Sequence, residues 1–530
     1  YFSEPCKPAA SNGYRSRNMP WHALEKWEEY KHYNIVDVDT ERDNILMLGS
    51  IEIPPFEKEL YILDQEINDR GIKIDPIMAA HASVMADAFK KDKKTELQDL
   101  SDIDNIGSQA QIKEWLKQEL SEDELEAFPK HKVTGDLSLL KGDVKDALKI
   151  IKNPKAIELL EGRLVVSKSS NAKYDAMLSC ISDDSRIRGL FQLYGANRTG
   201  RWAGRMVQLQ NLPQNHIDDL DLARNLVLNG DLDGMEMMYG NVADTLSQLI
   251  RTTFIPEEGK IFAVADFSAI EARVTARLAN EQWRLDVFNT HGKIYEASAA
   301  MMFGVPIESI TKGSMERQKG KYAELALGYG GSVQAFLNFG ADKFMTQPEM
   351  RSTVKLWRKA NPNIVEGWSE LENCAIEAVV YREPVVSKLW GLKFEVIEDW
   401  LAVTLPSGRN LMYYKPRLKN GKFGNKHALA YLGTDNTSNM CVVDTYGGKL
   451  MENVVQAISR DILAVAMVRV NKAGYPIVLH VHDELAAEVP IETSEQDLKI
   501  IEDIMAMPID WADGLPSRAD GYLTPYYKKD

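Results

Sequence analysis

Cysteine is scarce: Cys6, Cys180, Cys374 and Cys441 are scattered through 530 residues without metal-ligand spacing. That argues against a disulfide scaffold and a cysteine metal site, and suits a reducing cytosol. No apolar run is long enough to span a bilayer, and no signal-peptide layout opens the chain, so the sequence predicts no membrane partner. Internal repeats and low-complexity tracts are also missing, which excludes solenoid architectures. An excess of positive charge is lacking too: 63 Lys and Arg stand against 78 Asp and Glu, a balance of −15. Indiscriminate nucleic-acid binding is thereby disfavoured, but a local basic groove is not, because recognition depends on where the charge sits. An initiator methionine is absent as well. Tyr1 stands first, and this predicts a chain that begins part-way through a longer product.

What is present is a soluble globular composition, 44% apolar and 27% charged, too long for one ordinary core. Residues 1–52 are polar, aromatic-rich and irregular, closing with a helical stretch around HYNIVDVDTERDNILML, and Pro54-Pro55 mark a boundary. Residues 56–180 read as charged helices, an elongated helical lobe. Strands, turns and Gly-rich basic loops are expected over 186–280, and helices over 281–385. From 386 to the end, short strands surround one long helix at 447–472. Basic residues gather at Lys90, Lys91, Lys93 and Lys94, at Arg198, Arg201 and Arg205, and at Arg317, Lys319 and Lys321. A solvated face accounts for any of these clusters as well as a ligand does.

Four stretches carry chemistry. VLHVHDELAAEVP (478–490) alternates on both sides of His482, Asp483 and Glu484, which predicts a hairpin with an ionisable triplet at its tip. Desolvated carboxylates need a compensating cation, whereas a solvated turn would need none. KIFAVADFSAIEARVTARLAN (260–280) reads as a buried strand ending at Asp266, followed by a helix opening at Ser268. A capping box from Ser268 to Glu271 explains the glutamate without any function, but not why an apolar strand ends in an aspartate. SMERQKGKYAELALGYGGS (314–332) is helical, with Arg317, Lys321, Leu325 and Tyr329 on one face. Cations four residues apart repel unless an anion such as phosphate joins them; a solvated face is the alternative. LYGANRTGRWAGRMVQLQNLP (193–213) is a Gly- and Arg-rich loop with Gln208, Gln210 and Asn211, suited to phosphates and base edges or to an ordinary polar turn.

Taken together and in this order, the four stretches resemble the family-A DNA polymerases of bacteria and their phages, over essentially residues 56–530. DFSAIEAR is similar to that family's first palm motif, R-x-x-x-K followed by YG to its fingers-helix motif, and VHDE to its last palm motif. TGRW…LQNLP is similar to its primer–template segment. The resemblance implies an α/β (α+β) right-hand fold with an antiparallel palm sheet, helical fingers and a helical thumb. It sets the thumb at 53–185, the first part of the palm at 186–280, the fingers at 281–385 and the second part of the palm at 386–530. Residues 1–52 would be the remnant of a 3′–5′ exonuclease-like domain, on the strength of Tyr33-x-x-x-Asp37. The earlier carboxylates of such a nuclease are absent from residues 1–32, so no proofreading is expected from this chain.

The implied activity is DNA-templated addition of dNTPs to a primer 3′-hydroxyl with release of pyrophosphate, and the implied setting is phage DNA replication within a bacterial cytoplasm. Asp266 and Asp483 would hold two Mg²⁺ ions, with Mn²⁺ able to substitute, and Phe267 would lend its backbone carbonyl. Glu484 would be an auxiliary carboxylate and His482 would stand near the primer terminus. Arg317 and Lys321 would grip the triphosphate, Tyr329 would stack by the templating pair, and Glu271 would exclude a ribose 2′-hydroxyl. Arg201, Gln210, Asn211, Arg251 and Gln456 would hold primer–template DNA, in binding that weakens with salt. A monomer is expected, with replication accessory proteins as further partners.

Three positions depart from the family pattern. Leu325 stands where most members have Phe or Tyr against the sugar, and Tyr295 stands where His is usual. Asn453 and Gln456 are one residue closer than the usual pair, which favours Gln456 as the DNA contact. Two other functions remain open to the sequence: a catalytically silent primer–template binding protein on the same scaffold, and a nuclease resting on Tyr33 and Asp37.

Overall fold

The computed structural model describes residues 2, 6, 8–49, 52–131, 134–168, 170–419, 428–435 and 439–529. The chain divides into two compact units, Tyr1–Tyr61 and Ile62–Asp530. The first is built on helix α1 (Leu24–Leu48), which begins eight residues before the stretch that the sequence marks as helical. On it Tyr33 and Asp37 stand one turn apart, and the aspartate accepts from the tyrosine hydroxyl, holding that phenol above its ordinary range.

The second unit starts with helices, as the charged pattern over 56–180 predicts, gathered on an apolar core that includes Leu97, Ile112, Leu116, Phe128 and Leu159. The Gly- and Arg-rich stretch expected as a loop is a hairpin of strands β1 (Phe191–Ala196) and β2 (Arg201–Gly204). Gly195 allows it: a Cβ there would overlap Ala203 on the opposite strand. Helices also occupy Leu220–Leu228, Leu232–Tyr239 and Val242–Leu249, where strands and turns were expected. Each opens on a side-chain cap, Asp219, Asp231 or Asn241, whose oxygen accepts a backbone N–H three residues on. Those caps are legible in the sequence and outweigh the weak periodicity of such short helices.

Strand β3 (Lys260–Phe267) leads into helix α2 (Ile270–Ala279). Helix α3 (Met315–Leu327) is capped by Ser314, whose hydroxyl accepts from the Arg317 N–H at 3.2 Å. It stops at Leu327, so Tyr329 lies in the turn beyond it rather than in the helix expected over 314–332. Helix α4 (Pro362–Tyr381) is followed by a six-stranded antiparallel sheet in simple chain order between Val385 and Thr445. Helix α5 (Gly447–Lys472) has the bounds that the sequence predicts and is buried along nearly its whole length.

A four-stranded sheet closes the unit, with β4 (Ile477–Val481) at one edge, β5 (Glu484–Pro490) and β3 in the centre, and β6 (Ala519–Thr524) at the other edge. All pairs are antiparallel. β4 is buried throughout and β5 almost so, which is why they read as near-continuous apolar runs. Arg284 and Glu324 form a buried pair completed by Asn361 and Trp357, so every charge in it has a partner.

Where α5 begins, a Cβ on Gly447 would overlap the carbonyl oxygen of Trp368 in α4. A backbone atom cannot rotate away, so Gly447→Ala should cost about 1–3 kcal/mol. Thermal unfolding that is unchanged in this variant would show that the two helices do not cross so closely.

Candidate active site

The sheet register assembles the site. Asp266, the penultimate residue of β3, pairs with Glu484 on one side and Asp520 on the other. Val481 pairs with Glu484, so His482 and Asp483 form a two-residue hairpin turn, and His482 takes a left-handed backbone with φ 58°. The Phe267 N–H donates to the Asp483 carbonyl at 3.1 Å, which pins that turn against the end of β3. The triplet therefore stands at the hairpin tip as the alternation predicts, beside a second aspartate.

Crowding of these carboxylates has a clear electrostatic signature. Desolvation, reinforced by the neighbouring Asp483 charge, pushes the Asp266 carboxyl up to about 8. Desolvation also raises Asp483, partly offset by Lys529. Glu484 is buried; its carboxylate accepts from the Tyr527 hydroxyl and lies 3.6 Å from Lys529 Nζ. Among the described residues, no group of three His, Cys, Asp or Glu side chains is arranged to hold a metal ion. Asp266 and Asp483 nonetheless offer hard carboxylate oxygens, of the kind that suits a divalent cation whose other ligands come from outside the protein.

A cavity of about 410 Å³ adjoins this centre, and Asp483, His482, Glu271, Tyr329, Leu325 and Arg201 line it. Glu271 has no capping role. Helix α2 opens at Ile270 after a left-handed Ala269, while the Ser268 carbonyl accepts from Arg273 Nε at 2.6 Å. The Glu271 carboxylate instead accepts from Arg201 and, at 2.9 Å, from the Tyr329 hydroxyl. Burial and the Glu271 charge hold that hydroxyl well above its ordinary range. Leu325 is 46% exposed, an apolar wall where an aromatic ring would be larger.

Arg317 and Lys321 do not line the cavity. Arg317 Nε donates to Glu296 at 2.6 Å, with the Tyr295 ring centre 5.7 Å from its guanidinium. Lys321 is exposed, with no ion pair among the described residues. Glu296 was not singled out from the sequence, and no motif signals it.

The expected DNA contacts separate into two kinds. Arg201 and the exposed Asn211 lie at or beside the cleft, and Gln456 stands on α5, 3.5 Å from Glu452. Gln210 packs its amide over Gly204, where both polar atoms are buried without a partner. Arg251 is buried and donates to the Leu212 and Pro213 carbonyls and to the Tyr527 hydroxyl, at 2.8, 2.9 and 2.8 Å. It fixes the 209–213 segment from behind rather than presenting its head to solvent. Asn453 is buried as well, donating to the Tyr413 hydroxyl at 3.1 Å.

The raised Asp266 carboxyl sets a pH dependence. The native state keeps this proton up to about pH 8, whereas an unfolded aspartate loses it near pH 4. Between those values the native state binds more protons, so its contribution to stability is present at low pH and is lost as pH rises through 8. In a chelator, Asp266→Asn should therefore melt a few degrees higher than wild type at pH 8, with the gain fading towards pH 4. Equal melting temperatures at both pH values would contradict the shift.

Comparison with known proteins follows this geometry. The sequence model of DNA polymerase family A matches residues 78–372, taking in Asp266, Glu271, Arg317, Lys321 and Tyr329 but not Asp483. A DNA polymerase of Bacillus phage SP02 is 48% identical over 531 residues, covering 100% of this chain and 80% of the phage protein. The thermostable DNA polymerase I of Thermus aquaticus is 26% identical over 270 residues, 50% of this chain and 27% of that enzyme. Among solved structures, the POL domain of Pol1 from M. smegmatis, in complex with DNA primer-template and dNTP, superposes with a TM-score of 0.62 at 18% identity. That match covers 91% of this chain and 72% of the other, and identifies the architecture as the right-hand polymerase fold. No helix among the described residues is long and apolar enough to cross a membrane. The chain belongs to DNA polymerase family A, a family of DNA-directed nucleotidyltransferases, and has a phage enzyme among its relatives.

Proposed function

We propose that this DNA-directed DNA polymerase extends a primer 3′-hydroxyl at Asp266 and Asp483, with dNTPs as substrate and primer–template DNA as partner. The observation that carries the reading is a pair of desolvated aspartates at one sheet end, the second of which lines a cavity bounded by Glu271 and Tyr329. Family membership implies use of a divalent metal. Two Mg²⁺ ions held by Asp266, Asp483 and the Phe267 carbonyl, with Mn²⁺ as a substitute, are the finer assignment. Bound there, they would neutralise charge on the attacking and leaving oxygens.

The chain's own groups do the rest. Arg317 and Lys321 bind the triphosphate while the primer 3′-oxygen attacks the α-phosphorus and the bond to pyrophosphate breaks. Both cations offset charge on the departing pyrophosphate, and Arg317 exchanges Glu296 for phosphate to do so. Tyr329, tied to Glu271, stacks by the templating pair, and Leu325 faces the sugar. The Glu271 carboxylate occupies the space that a ribose 2′-hydroxyl would need, which favours dNTPs over rNTPs. His482 stands by the primer terminus, and Glu484 is an auxiliary acid behind the two aspartates. Arg201, Asn211 and Gln456 hold primer–template, while Gln210, packed over Gly204, and Arg251, bonded to the Leu212 and Pro213 carbonyls, shape the segment beneath it.

On this reading residues 53–185 form the thumb, 186–280 and 386–530 the palm and 281–385 the fingers, and 1–52 derive from an exonuclease-like domain. Replication of phage DNA in a bacterial cytoplasm, by a monomer working with accessory proteins, is the proposed setting. A silent binding protein on this scaffold would have no use for two mutually repelling desolvated aspartates. Such a pair destabilises the protein unless a cation is bound.

Asp266→Asn and Asp483→Asn should each lower magnesium-dependent primer extension by about a hundredfold or more, with primer–template affinity nearly unchanged. Extension near the wild-type rate in either purified variant would refute the assignment. Glu271→Ala should raise rNTP use relative to dNTP by about tenfold or more in single-nucleotide extension. An unchanged ratio would remove Glu271 as the sugar gate.

A further inference from the structure

The carboxylate centre already contains a cation supplied by the chain. Lys529 Nζ lies 3.9 Å from Asp266 Oδ2 and 3.6 Å from Glu484 Oε2. Both separations exceed a direct hydrogen bond, so the ammonium sits between two carboxylates and is bound tightly to neither. Its side chain is 22% exposed.

The tail that delivers it is fastened residue by residue. Thr524 Oγ1 donates to the Tyr526 carbonyl at 2.7 Å, and the Tyr526 hydroxyl donates to Asp221 at 2.9 Å. The Tyr527 N–H donates to the Phe254 carbonyl at 2.9 Å, and its hydroxyl donates to Glu484 while accepting from Arg251. The Lys529 N–H reaches Asn215 Oδ1 at 3.3 Å. Three residues of the tail, Tyr526, Tyr527 and Lys529, are thus clamped to four separate parts of the fold, and the last clamp sets the ammonium in the acidic cluster. A surface lysine meeting a carboxylate by chance has no such scaffold.

We infer that Lys529 is a resident counter-cation of the catalytic carboxylates, which competes with the incoming divalent metal and so sets the affinity of the metal-binding centre. The inference rests on the metal role proposed for Asp266 and Asp483. A positive charge 3.9 Å from the Asp266 carboxylate attracts it and repels any cation that binds there. The two effects act together: it holds the cluster assembled when empty and weakens its grip on metal, so that nucleotide-borne phosphate is needed for full occupancy. Lys529 is a positioning residue, since nothing places it against substrate.

Mn²⁺ binding to the full chain, without DNA or nucleotide, tests this by electron paramagnetic resonance. Lys529→Met keeps the length and apolar stem and removes the charge; it should bind Mn²⁺ about tenfold more tightly than wild type. Lys529→Arg keeps the charge and should match wild type. Primer extension by Lys529→Met should reach half-maximal rate at correspondingly lower Mg²⁺. Unchanged or weaker Mn²⁺ binding by folded Lys529→Met would overturn the inference. Asp266→Asn separates this from failure of the metal assignment itself: if wild type and Asp266→Asn bind Mn²⁺ equally, the aspartates are not the ligands, whatever Lys529 does.

Discussion

Two aspartates that repel each other are held at one end of a sheet, and the hydrogen-bond register of that sheet keeps them from separating. Asp266 cannot slip away from Glu484 without moving β3 past β5, which would turn the buried face of each strand to the wrong side. The Phe267-to-Asp483 backbone bond then locks the hairpin turn to the strand end. Much of the surrounding architecture follows from this constraint. Glu484 is covered by Tyr527, Tyr527 is braced by Arg251, and Arg251 fixes the Leu212–Pro213 backbone. A charge problem at the sheet is in this way tied to the segment proposed to hold primer–template.

The same balance of charge recurs on the helical side. Glu271 is shared between Arg201 and Tyr329, so the wall of the cavity is set by a hydrogen-bonded triad rather than by one side chain. Arg317 rests on Glu296. In both places a cation has a protein partner, which avoids a bare charge, and on the proposed reading substrate binding is an exchange of partners at Arg317. Lys529 repeats the arrangement at the carboxylates themselves.

Much of this was legible beforehand. The hairpin, the strand ending at Asp266 and the long helix α5 follow from apolar patterning, because burial on a pleated or helical face imposes a period on the sequence. Short helices at 220–249 are not legible from periodicity, although their caps are, since eight or nine residues scarcely establish a period. The hairpin of β1 and β2 is not legible because close approach to the opposite strand at Gly195, and to Gln208 and Gln210 at Gly204, leaves glycine where side-chain alternation would have signalled strands.

By itself the sequence determined which residue types are available, their order along the chain and the class of chemistry they suit: acids at strand ends, cations on one helix face, and a family's motifs in the family's order. Only the tertiary structure decided how they are used. It joined Glu271 to Arg201 and Tyr329 in place of a capping role, withdrew Arg251 and Asn453 into the interior, and brought Lys529 beside Asp266 from 263 residues away along the chain. The physical reason is that local patterning depends on neighbours a few residues apart. Charge compensation depends on distance in space, which only the folded chain fixes.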